Sequence, residues 1–172
     1  GGGVAMNFTL QHPEMVSGLI MVCSGPNGFE FDEPPPPQWD ELVAAWKSGD
    51  LEKTATMETH IWVDGLTRPP DQVDSKIRDK VMEMNLIALR NEKLGLGKEI
   101  ELDPPAAKRL SEIQVPTLLI VGQYDTPYLI AAGDFMAANI AGAQKVLMPT
   151  AHVPSMERPQ EFNQHVRAFL ER

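Results

Sequence analysis

Two short, wholly apolar runs constrain the fold of this chain more than any other feature. They are GLIMVC at residues 18–23 and VPTLLIVG at residues 115–122, each followed by polar or turn-forming residues. Continuous apolar runs of this length are typical of parallel strands covered on both faces, since a strand with one solvated face alternates apolar and polar residues. A third strand-like segment, KVLMP, follows at 145–149. The sequence therefore predicts an α/β fold with about three parallel strands.

Helical patterns fill the intervals between these strands, with apolar residues three and four positions apart. One of these helices is expected to start at Pro69-Pro70-Asp71, because proline and a following acid are start signals. The others are expected at residues 4–11, 39–48, 51–63, 128–140 and 159–172. The order is helix, strand, a long helical block, strand, helix, strand and helix, which is an α/β layout interrupted once.

Composition excludes several classes of partner. The chain has 172 residues and a formal net charge of −9, so nucleic acid and anionic membrane surfaces, which attract basic patches, are not expected partners. No apolar stretch approaches the roughly 20 residues that span a bilayer. Cys23 is the one cysteine, which rules out a disulfide within the chain, and it is interpreted as a small core side chain inside the first strand. We expect a small neutral or apolar substrate and a cytoplasmic location.

Two polar side chains follow the second and third predicted strands. Asp125 comes three residues after Gly122, and His152 lies just beyond the strand at 145–149. Catalytic groups of parallel sheets gather at the carboxyl ends of strands, so both side chains should emerge at one edge. An acid that holds a histidine, which in turn serves a nucleophile, is the arrangement of a catalytic triad. The alternatives are a helix N-cap for Asp125 and a surface-loop histidine for His152.

Four segments in order resemble the C-terminal part of a capped α/β-hydrolase. They are GGGVAM, HPEMVSGLIMV, PTLLIVGQYD and AHVPSMERPQEFNQHVRAFL. The resemblance implies that Asp125 is the charge-relay acid and His152 the general base, in this family's chain order of nucleophile, acid and histidine. It also implies that Gly1 and Gly2 are the remnant of a nucleophile elbow, the tight turn between a strand and a helix; a flexible tag is the alternative for this glycine run.

The same resemblance implies a division into core and cap. Residues 1–25 and 113–172 would form the core, and residues 26–112 a helical cap that covers the active site. Apolar side chains of the cap are then candidates for the substrate pocket. The candidates are Trp39, Met57, Ile61, Trp62 and Met84, with Trp46 and Met82 as further members.

The resemblance also implies that the nucleophile lies outside the 172 residues, one or two positions before Gly1. Neither Ser17 nor Ser24 lies in an elbow. We expect the intact protein to have about 270 residues, the size that the family implies. The apolar edge of the first strand would be covered by the N-terminal half of the same protein or by a second copy. These 172 residues alone are predicted to be inactive.

The predicted activity of the intact protein is hydrolysis of a small, largely apolar ester, or of a related acyl compound, by a Ser-His-Asp mechanism. One alternative keeps the fold and uses an aspartate nucleophile, as in haloalkane dehalogenases and epoxide hydrolases. Another is a non-catalytic fragment that binds a ligand or mediates association. We expect no cofactor and no metal site, because His12, His60 and His165 lack a partner at metal-ligand spacing with a second acid.

Overall fold

A computed structural model of the chain describes residues 1–97, 100 and 102–172. Three strands form one sheet in the described part of the chain: β1 (Leu19–Val22), β2 (Thr117–Gly122) and β3 (Gln144–Met148). The α-helices are α1 (Gly2–Gln11), α2 (Trp39–Ser48), α3 (Leu51–Thr59), α4 (Ser75–Glu92), α5 (Pro127–Asn139), α6 (Pro154–Glu157) and α7 (Pro159–Leu170). No helix in these described ranges is long and apolar enough to cross a membrane.

The sheet is parallel throughout, in the order β1-β2-β3, so the predicted parallel α/β fold is confirmed. Met21 of β1 pairs with Leu119, and Ile120 of β2 pairs with Val146. All residues of β2 are buried, as a central strand with both faces covered requires. Because all three strands point the same way, the loops that follow them meet at one edge of the sheet.

Helices cover both faces of the sheet. On one face, Met6 of α1 and Met136 of α5 pack against Met21 and Leu119; on the other, Leu118 and Ile120 pack under Phe169 of α7, with Met148 beside them. Ala106 and Leu110 also belong to the first cluster. The core of the sheet therefore reaches into the end of the range predicted as a cap.

The long helical block contains α2, α3 and α4, which we call the helical connection because it joins β1 to β2. Two predictions here were wrong in detail. Helix α4 starts at Ser75 rather than near Asp71, because the Asp74 side chain accepts a hydrogen bond from Lys76 N–H at 2.9 Å and caps the helix. Helix α3 does not continue to residue 63 as an α-helix, since His60–Asp64 forms a π-helical turn that ends at Gly65.

Candidate active site

The loops after β2 and β3 are joined by backbone hydrogen bonds beyond the strands. Gln123 N–H donates to Met148 C=O at 2.9 Å, and Tyr124 N–H donates to Thr150 C=O at 3.0 Å. Gly122 allows this close approach, because a Cβ added there would lie 2.1 Å from the carbonyl oxygen of Ala151. The two loops therefore run side by side and carry Asp125 and His152 to the same place.

Asp125 and His152 form a hydrogen-bonded pair. His152 Nδ1 lies 2.9 Å from Asp125 Oδ2, and Asp125 Oδ1 accepts a hydrogen bond from Thr126 N–H at 2.8 Å. The Asp125 side chain is fully buried, whereas the His152 side chain is 35% exposed. Since an ionised carboxylate only accepts hydrogen bonds, Nδ1 carries the proton and Nε2 is left as an acceptor. The cap of α5 is Thr126, whose hydroxyl accepts from Leu129 N–H, and not Asp125.

The histidine loop is also held from the helical connection. His152 N–H donates to the carbonyl oxygen of Trp62 at 2.9 Å, and the Trp62 and His152 rings lie 5.0 Å apart. The preceding amide, Ala151 N–H, donates to Glu157 Oε1 at 2.8 Å. Backbone hydrogen bonds of this kind have no side-chain pattern, so the sequence did not indicate the role of Trp62 or Glu157 in this loop.

Cys23 lies beside the pair, a neighbour that the sequence analysis missed. The residue follows β1 with a φ of 44°, so the prediction that it is inside the strand was wrong. Its Sγ donates to Ala151 C=O at 3.7 Å. Burial raises the pKa of the Cys23 thiol well above its usual range, and the adjacent Asp125 carboxylate raises it further. A thiol that stays protonated is the opposite of an activated cysteine nucleophile.

Sγ of Cys23, a carboxylate oxygen of Asp125 and a ring nitrogen of His152 lie within 4.8 Å of one another. One metal ion could span these atoms, but a ligating thiol must be deprotonated, and its environment opposes that. The hydrogen bond between Asp125 and His152 also places the Nδ1 proton, rather than a ring lone pair, toward the carboxylate. The arrangement favours proton transfer through the histidine over metal binding.

A largely apolar cavity of about 630 Å³ opens next to the pair. Thr126 borders Asp125 and Trp62 contacts His152, so the cavity adjoins both residues. The lining consists of Phe31, Glu33, Pro34, Pro35, Pro36, Pro37, Trp39, Trp62, Leu66, Thr126, Pro127 and Tyr128. The proline run at residues 34–37 thus forms one wall of the cavity.

The predicted pocket residues divide into two groups. Trp39 and Trp62 line the cavity, whereas Met57, Ile61 and Met84 do not. Ile61 is completely buried within the helical connection, and Met84 is 51% exposed on α4. Helical spacing predicted that these residues lie on apolar faces, but it did not distinguish packing between helices from contact with a cavity.

The two glycines predicted as an elbow remnant lie at the start of α1. Gly1 C=O accepts a hydrogen bond from Ala5 N–H, and a Cβ added to Gly2 would lie 2.3 Å from Ser24 Oγ. Ser24 immediately follows Cys23, so α1 begins close to the carboxyl end of β1. The start of α1 is therefore on the edge of the sheet that carries Cys23, beside Asp125 and His152.

Comparisons with known proteins agree with this architecture. The family model described as serine aminopeptidase, S33, matches residues 1–152. A 2-hydroxy-6-oxononadienedioate/2-hydroxy-6-oxononatrienedioate hydrolase from Klebsiella pneumoniae is 27% identical over 100% of this chain and 60% of its own length. A pimeloyl-[acyl-carrier protein] methyl ester esterase from Serratia marcescens is 28% identical over 99% of this chain and 67% of its own length.

Among solved structures, an esterase from Exiguobacterium antarcticum superposes with a TM-score of 0.72 at 19% identity, covering 100% of this chain and 64% of that chain. At this level of identity the similarity shows the fold alone. The chain thus spans about three fifths of the length of the Klebsiella relative, as it does for several of the other proteins it matches.

Proposed function

Because this chain belongs to the serine aminopeptidase S33 family of α/β-hydrolases, we propose that the intact protein hydrolyses a small, largely apolar ester or related acyl compound by a Ser-His-Asp mechanism. The observation that carries the proposal is the 2.9 Å bond between His152 Nδ1 and buried Asp125, beside an apolar cavity. Hydrolases and esterases among the relatives support the reaction class.

The proton path follows from the tautomer. His152 Nε2 accepts the proton of the attacking hydroxyl group and later donates it to the leaving alcohol. Asp125 holds the Nδ1–H group and stabilises the imidazolium ion that forms between these steps. The hydrogen bond from Thr126 N–H to the second carboxylate oxygen fixes the plane of the acid. To complete the triad, Asp125 and His152 therefore need a hydroxyl nucleophile within hydrogen-bond distance of His152 Nε2.

We place that nucleophile, and the donors that stabilise the oxyanion, outside residues 1–172. The start of α1 lies against Ser24, next to Cys23, so a residue preceding Gly1 would lie near the edge of the sheet that carries His152. In this proposal the helical connection acts as a cap over the site. The N-terminal part of the same protein or a second copy covers the free edge of β1.

The cavity indicates what kind of acyl group is accepted. Its lining includes one acid, Glu33, and no lysine, arginine or histidine among the described residues. A carboxylate on the acyl group would therefore lack a counter-ion from this part of the protein. The name of the Klebsiella relative refers to dioates and that of the Serratia relative to a methyl ester. An uncharged ester fits this cavity better than a dicarboxylate.

The decisive substitution is His152→Ala in the intact protein, assayed with a p-nitrophenyl ester of a short fatty acid. We expect kcat to fall by about three decades or more with little change in stability, because the residue transfers protons and is not part of the core. His165→Ala on α7 is the matched control and should retain wild-type turnover. Turnover by His152→Ala at the wild-type rate would remove this residue from the mechanism.

Labelling with a fluorophosphonate tests the nucleophile independently, since the reagent modifies an activated serine. The intact protein should be labelled and residues 1–172 alone should not. Labelling of residues 1–172 would overturn the placement of the nucleophile. An intact protein that resists labelling and hydrolyses haloalkanes or epoxides would establish an aspartate nucleophile instead.

A further inference from the structure

Arg68 occupies a buried position between the helical connection and the loop that carries His152. Its Nε donates to Asp64 C=O at 2.8 Å, its Nη2 to Val63 C=O at 2.7 Å, and its Nη1 to Glu157 Oε2 at 2.6 Å. The Arg68 and Glu157 side chains are only 9% and 8% exposed. All three nitrogens of the guanidinium group are thus engaged, and two of them fix the arginine to the turn that contains Trp62.

Glu157 links Arg68 to the loop that carries His152. One carboxylate oxygen binds Arg68, and the other accepts from Ala151 N–H at 2.8 Å. The next amide, His152 N–H, donates directly to Trp62 C=O. Two consecutive amides of the loop are therefore held by the segment 62–68, one directly and one through the ion pair.

The segment is itself anchored to α4. Asp64 is completely buried, and its carboxylate receives two hydrogen bonds from Arg78 of that helix, at 2.6 and 3.0 Å. The Arg68 guanidinium also lies 4.8 Å from the centroid of the Tyr124 ring, next to Asp125. A buried ion pair is rigid when both partners are fully hydrogen-bonded, because moving either one leaves a charge unpaired. The segment thus contacts both loops of the catalytic pair through groups with little freedom.

We infer that Arg68 and Glu157 are positioning residues that align His152 with Asp125, so that the placement of segment 62–68 sets the geometry of the pair. The kinetic consequence rests on the proposed function, whereas the alignment itself is observable without substrate. Neither residue touches the reacting atoms; each acts through the backbone of the loop. Loss of the connection should lower kcat by a larger factor than it raises KM, since neither residue lines the cavity and only Trp62 and Leu66 of the segment do.

The test uses Arg68→Met, Arg68→Lys and Glu157→Gln in the intact protein, with two readouts. The first is kcat and KM for a p-nitrophenyl ester. The second is the downfield proton NMR signal of the His152 Nδ1–H group, identified by its loss in His152→Ala. We expect Arg68→Met to lower kcat about 100-fold, as a displacement near 1 Å does, and to shift or broaden the signal. Arg68→Lys should not restore kcat or the signal, because lysine lacks the planar guanidinium group that binds two carbonyls and a carboxylate.

Arg109→Met is the control, since it removes a partly buried arginine, with a side chain 21% exposed, that pairs with Glu112 three residues away; kcat and the signal should stay unchanged. Wild-type kcat and signal in folded Arg68→Met would overturn the inference. If Arg68→Met does not fold, Glu157→Gln decides, because it keeps an acceptor for Ala151 N–H and replaces the oxygen that binds Arg68 with an NH2 group that cannot accept a hydrogen bond; an unchanged signal and kcat would again overturn the inference. If the wild-type protein hydrolyses no ester, the proposed function fails, and the signal still tests the alignment.

Discussion

Cys23 shows how a single residue takes its chemistry from its surroundings. Its thiol sulfur lies within 4.8 Å of a carboxylate oxygen of Asp125 and a ring nitrogen of His152. The same neighbours that would make a nucleophile useful here keep the thiol protonated, because burial and the Asp125 charge both raise its pKa. The protonated thiol donates a hydrogen bond to Ala151 C=O, in the loop that carries His152. Cys23 therefore supports the loop and does not react.

This pKa shift predicts how stability depends on pH. The thiol ionises near pH 8.5 in the unfolded chain, whereas it stays protonated in the folded one. The folded state then binds more protons above that pH, so the free energy of unfolding should fall by about 1.4 kcal/mol for each further pH unit. Below about pH 8 the thiol is protonated in both states, so its ionisation no longer affects the free energy of unfolding. The measurement is the free energy of unfolding of wild type and Cys23→Ala, obtained by urea denaturation between pH 7 and 10. The slope against pH should be steeper for wild type; parallel curves for the two proteins would contradict the prediction.

At the scale of elements, the turn that follows α3 contacts the site more directly than the helices of the helical connection do. The π-helical turn His60–Asp64 ends at Gly65, whose φ and ψ are 79° and 158°. That conformation is essentially restricted to glycine. A Cβ added there would lie 2.3 Å from the carbonyl oxygen of Tyr124, the residue before Asp125. The turn thus packs its backbone directly against the loop that carries Asp125.

Gly65→Ala should therefore disturb both stability and the site. Gly142→Ala is a matched control, because Gly142 also has a positive φ, 72°, but no atom lies within 4 Å of an added Cβ. The backbone conformation alone should destabilise the control by about 1–2 kcal/mol. In Gly65→Ala the steric clash and the more restricted backbone conformation should together add about 1–3 kcal/mol, measured by urea denaturation, and should lower kcat. Equal destabilisation of the two variants would mean that the turn at Gly65 and the loop at Tyr124 move apart at no cost in free energy.

At the scale of the whole molecule, the sequence predicted what depends on pattern. The apolar runs predicted the parallel sheet, and chain order predicted that Asp125 and His152 lie on neighbouring loops. In the structure, His152 Nδ1 and Asp125 Oδ2 are 2.9 Å apart. It did not predict what depends on three-dimensional neighbours. The proline wall of the cavity and the connection through Arg68 arise from contacts between residues far apart in sequence, for which periodicity holds no information. The π-helical turn interrupts the helical period locally, between α3 and Gly65, so an extrapolated period misses it.

Under the proposed function, the charge of these 172 residues has a consequence for substrate choice. The chain carries a formal net charge of −9, and the described lining of the cavity adds Glu33 without a basic residue. Anionic esters should therefore be poorer substrates than neutral ones of equal size, and the difference should narrow in high salt, which screens exposed charges. The comparison is between kcat/KM for a butyrate ester and for a hemisuccinate ester in the intact protein.

Glu33→Lys separates the cavity from the overall field. It changes the local charge by two units, and at about 8 Å in water that is worth about 1 kcal/mol, or about fivefold in kcat/KM for the anionic ester. The neutral ester should be unaffected. Glu30→Lys changes the net charge equally at an exposed residue outside the lining, so it is the control and should give a smaller gain. Equal gains from both variants would show that the overall charge, and not the cavity, selects the substrate.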